Sequence, residues 1–269
     1  MEADKTSIRR HFDRGAATYD AASSLQAEMG RELLAAARAQ LGDRPVRRIV
    51  ELGCGTGVLT ELLHATWPEA ELLAIDLSPR MLARARERLA TSPVELLEAD
   101  AEAWLAATPA EPIDLLIANA TVQWFSDPMS RLAAAATGLP TGGVMAISTF
   151  GPDTFRELRT AFARAAHEAG RPATERTLAL PDLAAWRARL GRLPELELAA
   201  SERRDQLGYP DLRAFLHHLR ELGATLPAGQ TAGLTRTALA AAERHYPARQ
   251  GDGSVAATWH CLQFVATRR

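Results

Sequence analysis

Cysteine is scarce in this chain: 269 residues contain two, Cys54 and Cys261. Two such distant thiols make no disulfide framework and fit no zinc-ligand spacing, so no metal site is expected and the usage suits a reducing cytoplasm. Long apolar runs are missing too. None approaches the roughly 20 uninterrupted apolar residues that a membrane span needs. The first ten residues are charged and lack an apolar h-region, so no secretory signal is expected. Internal repeats and low-complexity tracts are also absent. What remains is ordinary for a globular protein, with 47% hydrophobic and 24% charged residues, enough for a sizeable core and for one large domain with an insertion. The charge is uneven. Residues 1–150 hold 14 Lys+Arg against 20 Asp+Glu, net −6, and residues 151–269 hold 17 against 13, net +4.

The chain is organised around Val50-Glu51-Leu52-Gly53-Cys54-Gly55-Thr56-Gly57, between an apolar run and an amphipathic helix pattern. It reads as a strand ending in a glycine turn that feeds a helix, where open α/β sheets bind nucleotide-like ligands. The spacing G-x-G-x-G is neither the dinucleotide fingerprint nor a P-loop, and no Lys follows to reach a β- or γ-phosphate. The glycines let backbone N–H groups approach a ligand with no Cβ in the way, while Glu51 offers an acceptor for an amine. Nineteen residues beyond Gly57 stands Asp76, after Leu72-Leu73-Ala74-Ile75, where this topology places an acid for a ribose hydroxyl. An amino acid joined to a ribose points to S-adenosylmethionine.

Alternating patterns place strands at 46–52, 71–75, 94–97, 113–118 and 143–149, with helices between them, the signature of a parallel sheet. Ser78-Pro79 marks a helix start, with Ser as N-cap and Pro at the first position. Met81, Leu82, Ala85 and Leu89 form that helix's apolar face. Before the first strand, residues 5–40 read as one helical stretch with Phe12 and Leu33 in the core; Tyr19 and Gln26 either line a site or pack and cap. After Phe150-Gly151-Pro152 the pattern predicts helices at 153–169, 181–190, 210–222 and 231–245 and a strand at 196–206. A last strand at 255–267 is expected to return to the sheet edge. The domain reading is therefore an N-terminal helical cap at 1–42, a cofactor-binding core at 43–150, a mostly helical lid with one core strand at 151–250, and a closing strand at 251–269. Insertions beyond a sheet's carboxyl edge commonly form lids.

The ordered set of Glu51 to Gly57, Asp76 and Asp100-Ala101 resembles the class I S-adenosylmethionine-dependent methyltransferases. The resemblance implies a Rossmann-like sheet with helices on both faces. It implies cofactor contacts from Glu51, Gly53, Cys54 and Gly55 in the turn, from Asp76, Leu77 and Met81 after the second strand, and from Asp100 and Ala101 after the third. Tyr19 and Gln26 would join them from a covering N-terminal segment, and Asn119 from the end of the fourth strand. That strand ends in Asn119-Ala120-Thr121-Val122-Gln123-Trp124-Phe125. It lacks both the (N/D)-P-P-(Y/F) signature of amide and amine nitrogen methylation and the Pro-Cys pair of cytosine methylation, which argues against nucleic-acid bases and glutamine side chains as acceptors.

Asn119 to Trp124 also resembles the malonyl-acyl carrier protein O-methyltransferases, which begin pimelate assembly for biotin. Phe12 to Gln26, Leu219 to Thr225 and Trp259 to Ala266 are similar to theirs as well. The resemblance implies esterification of a carboxylate that is already ionised at neutral pH, its reference pKa being about 4, so no general base is required. Tyr19, Gln123 and Trp124 are the positioning candidates, with Trp124 also facing the acceptor. A cation should steer the carboxylate, and Arg156, Arg159, Arg203, Arg204 and Arg220 are candidates, although most arginines on such a surface are simply solvated. His260 reads as a satisfied structural histidine. An acidic, malonyl-loaded acyl carrier protein would suit the basic second half. Nucleic acid and membrane are not expected partners, and a monomer is favoured. The rival readings are a methyltransferase of a free small di- or tricarboxylic acid of the aconitate type, and a non-catalytic cofactor-binding module.

Overall fold

The computed structural model describes residues 4–107, 111–170, 178–223, 236–246 and 254–269. Seven strands among them make one sheet: β1 (Arg48–Leu52), β2 (Glu71–Asp76), β3 (Val94–Glu98), β4 (Leu115–Asn119), β5 (Val144–Phe150), β6 (Leu196–Tyr209) and β7 (Val255–Arg268). Their order is β3-β2-β1-β4-β5-β7-β6. The first five run parallel, while β7 is antiparallel to both β5 and β6. This is the α/β Rossmann-like architecture that the glycine turn and alternating pattern predict. The order reverses between β1 and β4, which opens a crevice at their carboxyl ends.

Because strand side chains alternate, each central strand feeds two cores. Val50, Leu52, Met145 and Ile147 pack toward one face, beneath α6 (Ala101–Ala106), α7 (Pro128–Gly138) and α9 (Leu183–Leu190). Ile49, Leu115, Ile117 and Ala146 pack toward the other, beneath α3 (Ser24–Leu41) and α4 (Val58–Thr66). On that side α5 (Pro79–Arg88) contributes Leu82 to a small cluster with Cys54 and Ala74. As the sequence predicts, Ser78 caps α5, its Oγ accepting from Met81 N–H at 3.1 Å.

A third apolar cluster lies beyond the sheet's carboxyl end. It joins the short α2 (Tyr19–Ala22) and the start of α3 to α8 (Arg156–Glu168), α10 (Leu212–Glu221) and α11 (Arg236–Arg244) through Ala22, Leu25, Leu158, Phe162, Phe215, Leu219 and Ala242. The predicted lid is not uniform, since α9 packs with α7 against β6 and β7, Trp186 stacking on Phe264 at 4.8 Å.

Two expectations are corrected. Residues 5–40 are not one helix: α1 (Lys5–Gly15), α2 and α3 follow one another at angles. The first break falls where Gly15 presses on α10; a Cβ there would lie 2.8 Å from Glu221 O. The closing strand does not reach the sheet edge either. β7 is inserted between β5 and β6 and is buried along nearly its whole length, and the edge belongs to β6, whose alternating Glu197, Glu202 and Arg204 are the polar side chains that keep an edge soluble. Residues 231–235 of the expected 231–245 helix lie outside the described residues. No helix among the described residues is long and apolar enough to cross a membrane.

One buried carboxylate fastens α8 to the sheet. Glu157 of α8 accepts from Thr258 N–H at 2.9 Å and from Thr258 Oγ1–H at 2.5 Å. Removing it strands two donors on a residue that is fully buried. Glu157→Ala is expected to lower the free energy of unfolding by about 3 kcal/mol, measured by urea denaturation; a loss within experimental error would mean that the bonds do not hold α8.

Candidate active site

The crevice is built on left-handed backbone geometry that favours glycine. Gly53, Gly55 and Gly57 all have positive φ, at 72°, 55° and 84°. At Gly53 there is also no room, because a Cβ would come within 2.2 Å of Thr121 Oγ1. The turn is tied to the next strand by Gly55 N–H, which donates to Asp76 Oδ2 at 2.8 Å, while Ser78 N–H donates to Asp76 Oδ1 at the same distance. Glu51 is buried one residue before the end of β1, and its Oε2 accepts from Thr60 Oγ1 at 2.6 Å.

Among the described residues neither carboxylate forms a salt bridge. Burial pushes the Glu51 carboxyl up to about 7, against the Thr60 hydrogen bond and with a further push from Asp76. Burial likewise lifts Asp76 to about 6, against the Ser78 and Gly55 N–H groups. Two desolvated acids facing a crevice, one of them met by a single hydroxyl and neither by a cation, form a site short of positive charge and donors.

Two adjoining hollows meet at Tyr19, Gly53, Gly55 and Asn119. One runs under α3 past Glu51, Gln26 and Gly30. The other runs past Asp76 into an apolar slot between Leu77 and Met81 on one side and Ala101 and Phe125 on the other, roofed by Ile8, Phe12 and Trp124. Phe12 meets Trp124 edge to face at 5.6 Å. The roof is pinned electrostatically: Lys5 bridges Asp100 at 3.3 Å and Glu102 at 3.0 Å, Arg9 reaches Glu98 at 3.1 Å, and Ser78 Oγ donates to Asp13 Oδ1 at 2.6 Å. Asp20 of α2 is clasped by Thr56 Oγ1 and by Arg88 Nη2, the latter at 2.7 Å, which fixes Tyr19 over the glycine turn. Burial and the neighbouring Asp76 hold the Tyr19 phenol far above its ordinary range, so it remains a proton donor.

Of the residues the sequence proposes, Tyr19, Gln26, Glu51, Gly53, Cys54, Gly55, Asp76, Leu77, Met81, Asp100, Ala101, Asn119 and Trp124 all border the hollows. Several play narrower parts than expected. The Cys54 side chain is in the core with Ala74 and Leu82. Asn119 is a strut whose Nδ2 donates to Gln26 O at 2.8 Å while its Oδ1 accepts from Ser148 Oγ at 2.5 Å. Gln123 lines neither hollow; its Nε2 donates to Ala120 O at 2.6 Å and its Oε1 accepts from Thr149 Oγ1 at 3.1 Å, which braces the strained loop in which Ala120 has φ 49°.

None of the five arginines lines either hollow, and Arg203 is held by Glu28, Glu32 and Asp205. Arg156 pairs with Glu157, Arg204 with Asp153 and Glu202, and Arg159 caps the Pro152 and Thr154 carbonyls; Arg220 is exposed on α10. His260 is buried, with Nε2 2.9 Å from Glu202 Oε2 and Nδ1 accepting from Asp153 N–H at 3.3 Å, a structural role. Sequence reasoning missed Lys5, Ile8, Thr121 and Phe125 and took Phe12 for core. The i, i+3, i+7 spacing of Lys5, Ile8 and Phe12 was a signal that they share one face.

The raised acids carry a signed pH dependence. A carboxyl raised from 4.5 to about 7 holds its proton more tightly in the folded state, so its contribution to stability is full below 4.5 and is lost as pH rises through about 7. Asp76, raised from 3.8 to about 6, acts in the same direction. Glu51→Gln mimics the protonated acid and can still accept from Thr60. The ligand-free variant should therefore melt above wild type at pH 8.5 and close to it at pH 4.5, by differential scanning fluorimetry; equal melting at both would place the Glu51 proton elsewhere.

Comparison with known proteins agrees with this geometry. Residues 49–143, from β1 to the turn before β5, match the family described as Methyltransferase domain. The chain resembles phosphoethanolamine N-methyltransferase 2 of Haemonchus contortus, solved in complex with S-adenosyl-L-methionine, with a TM-score of 0.56 and 14% identity over 97% of this chain and 60% of that one, a likeness of fold. Among curated relatives, the malonyl-[acyl-carrier protein] O-methyltransferase of Halalkalibacterium halodurans is 32% identical over 97% of this chain and 98% of its own. That of Anoxybacillus flavithermus is 34% identical over 96% of each. A likeness that runs through cap, core, lid and closing strand alike shows that the chain belongs to the malonyl-[acyl-carrier protein] O-methyltransferase family.

Proposed function

We propose that the chain methylates the free carboxylate of a malonyl group carried by an acyl carrier protein, in the cytoplasm, with S-adenosyl-L-methionine as methyl donor. The observation that carries this reading is the extent of the likeness, 97% of this chain and 98% of the relative, which includes the second half where an acceptor must be recognised. When bound, the cofactor supplies a methyl group on a cationic sulfur, which a carboxylate oxygen displaces in line to leave the methyl ester and S-adenosylhomocysteine.

The residues on hand fit that cofactor. Glu51 supplies the negative charge that an α-ammonium requires, and its burial makes the pairing strong. Asp76 offers carboxylate oxygens to ribose hydroxyls, and Leu77, Met81, Ala101 and Phe125 form a slot of the apolar character an adenine seeks. At Gly55 an added Cβ would meet nothing nearer than Tyr19 at 3.9 Å, so the ligand's edge comes directly against backbone. Phe12, Tyr19 and Trp124 shut water out on the acceptor side, which favours an attack in which position and desolvation do most of the work. Esterification hides a charge that apolar acyl sites of later enzymes could not accommodate unpaired.

Mass spectrometry after incubation with S-adenosylmethionine and malonyl-acyl carrier protein, malonyl-coenzyme A or free di- and tricarboxylic acids tests the reading. The expected result is a methyl-mass gain strongest on the carrier-bound malonyl group. Gain on free acids alone would replace the substrate, and no gain with cofactor bound would reject catalysis on carboxylates. Asp76→Ala should weaken S-adenosylhomocysteine binding by at least about tenfold, through the loss of hydrogen bonds to a charged acceptor; isothermal titration showing unchanged affinity would remove Asp76 from the cofactor's contacts.

A further inference from the structure

The acceptor proposed above arrives on a protein, and the described surface beside the site is arranged to receive one. α1 has two faces. Its inner face gives Ile8 and Phe12 to the wall of the apolar slot, and its outer face exposes Arg10 and Arg14, one helical turn apart. α10 repeats the pattern. Leu212, Phe215 and Leu219 are buried beneath it, and Arg213 and Arg220, two turns apart, stand exposed.

The two helices meet end to end. Gly15 abuts Glu221 O and Gly223 N, Gly223 packs on Phe12 and His11 O, and Thr18 Oγ1 donates to Glu221 O at 3.4 Å. Arg14 and Arg220 therefore immediately precede the residues in contact, and the exposed faces adjoin.

These four guanidinium groups are uncommitted. Among the described residues none of them forms a salt bridge, and Arg14 donates only to Arg10 O. The nearby carboxylates are occupied elsewhere, Asp13 by Ser78, Glu98 by Arg9 and Glu221 by His217 at 3.4 Å. The second half's positive balance is thus not merely dispersed. Part of it stands with α1's arginines on the outside of the wall whose inside forms the slot.

We propose that Arg10, Arg14, Arg213 and Arg220 form the docking face for the acidic carrier protein, which sets its prosthetic arm toward the slot. This rests on the proposed function. The face acts through encounter and register, so it governs recognition of the carrier and not the chemistry at the methyl group.

The test compares malonyl-acyl carrier protein with malonyl-pantetheine, the same acyl group without the protein. Arg14→Glu/Arg213→Glu should lower kcat/KM for the carrier substrate by at least about tenfold, mostly through KM, while turnover of malonyl-pantetheine stays within about twofold of wild type. Arg189→Glu/Arg192→Glu, which makes the same charge change at the far end of α9, should leave both rates in place. Should the glutamate pair fail to fold, Arg10→Ala/Arg213→Ala gives the same comparison with a smaller change. Wild type that prefers the carrier while these variants match it would overturn the docking face alone. Wild type that gains nothing from the carrier would overturn the proposed function and this face with it.

Discussion

Holding the buried Glu51 and the half-buried Asp76 side by side without a cation is the constraint on which the rest of this structure depends. Both lie at the carboxyl ends of adjacent parallel strands, β1 and β2, within a sheet that is apolar on both faces. Their desolvation opposes folding in the ligand-free chain above neutral pH. The surrounding chain offsets it in part with backbone N–H groups from Gly55 and Ser78 and with the Thr60 hydroxyl. The unmet remainder leaves both acids able to accept further hydrogen bonds or to pair with a cation. Glycine at 53, 55 and 57 follows from the same need, because only a left-handed turn without side chains brings backbone close to both acids.

A second layer of structure makes that charged pocket into a reaction chamber. α1 and α2 are drawn across it by ion pairs from Lys5 and Arg9 and by the grip of Thr56 and Arg88 on Asp20. Asn119, Ser148 and Gln26 link β4, β5 and α3 directly behind the acceptor side. Gln123 and Thr149 hold Ala120 in a backbone conformation it would not choose alone. The lid helices α8, α10 and α11 then bury the outer side of α2 in their own apolar cluster. The cover over the crevice is therefore built from elements that the sheet itself does not require.

Much of this was legible in the residues. Strand and helix alternation is a local signal, and it foretold the parallel half of the sheet. The glycine turn and the acid nineteen residues beyond it are fixed in spacing by one β-α-β unit, so the meeting of Glu51, Gly55 and Asp76 at the carboxyl edge of the sheet could be foreseen. What could not be read depends on distant contacts. The break between α1 and α2 falls where Gly15 meets α10, more than two hundred residues away in sequence. The place of β7 inside the sheet follows from pairing with β6, and only the contrast between its mostly apolar sequence and the charged alternation of β6 hinted at it. Arginine is so abundant that composition could not tell the paired Arg156 and Arg204 from the uncommitted Arg14 and Arg220.

The most direct test of the account is the proton balance of cofactor binding. Isothermal titration of S-adenosylhomocysteine at pH 6.5, in buffers that differ in ionisation enthalpy, reads it without any acceptor present. If the cofactor's ammonium and hydroxyls meet the two raised acids, binding lowers their pKa values and releases protons, and the release shrinks in Glu51→Gln. Binding with no proton exchange in the wild-type protein would contradict the account, because it would mean that these two carboxylates and the ligand do not meet.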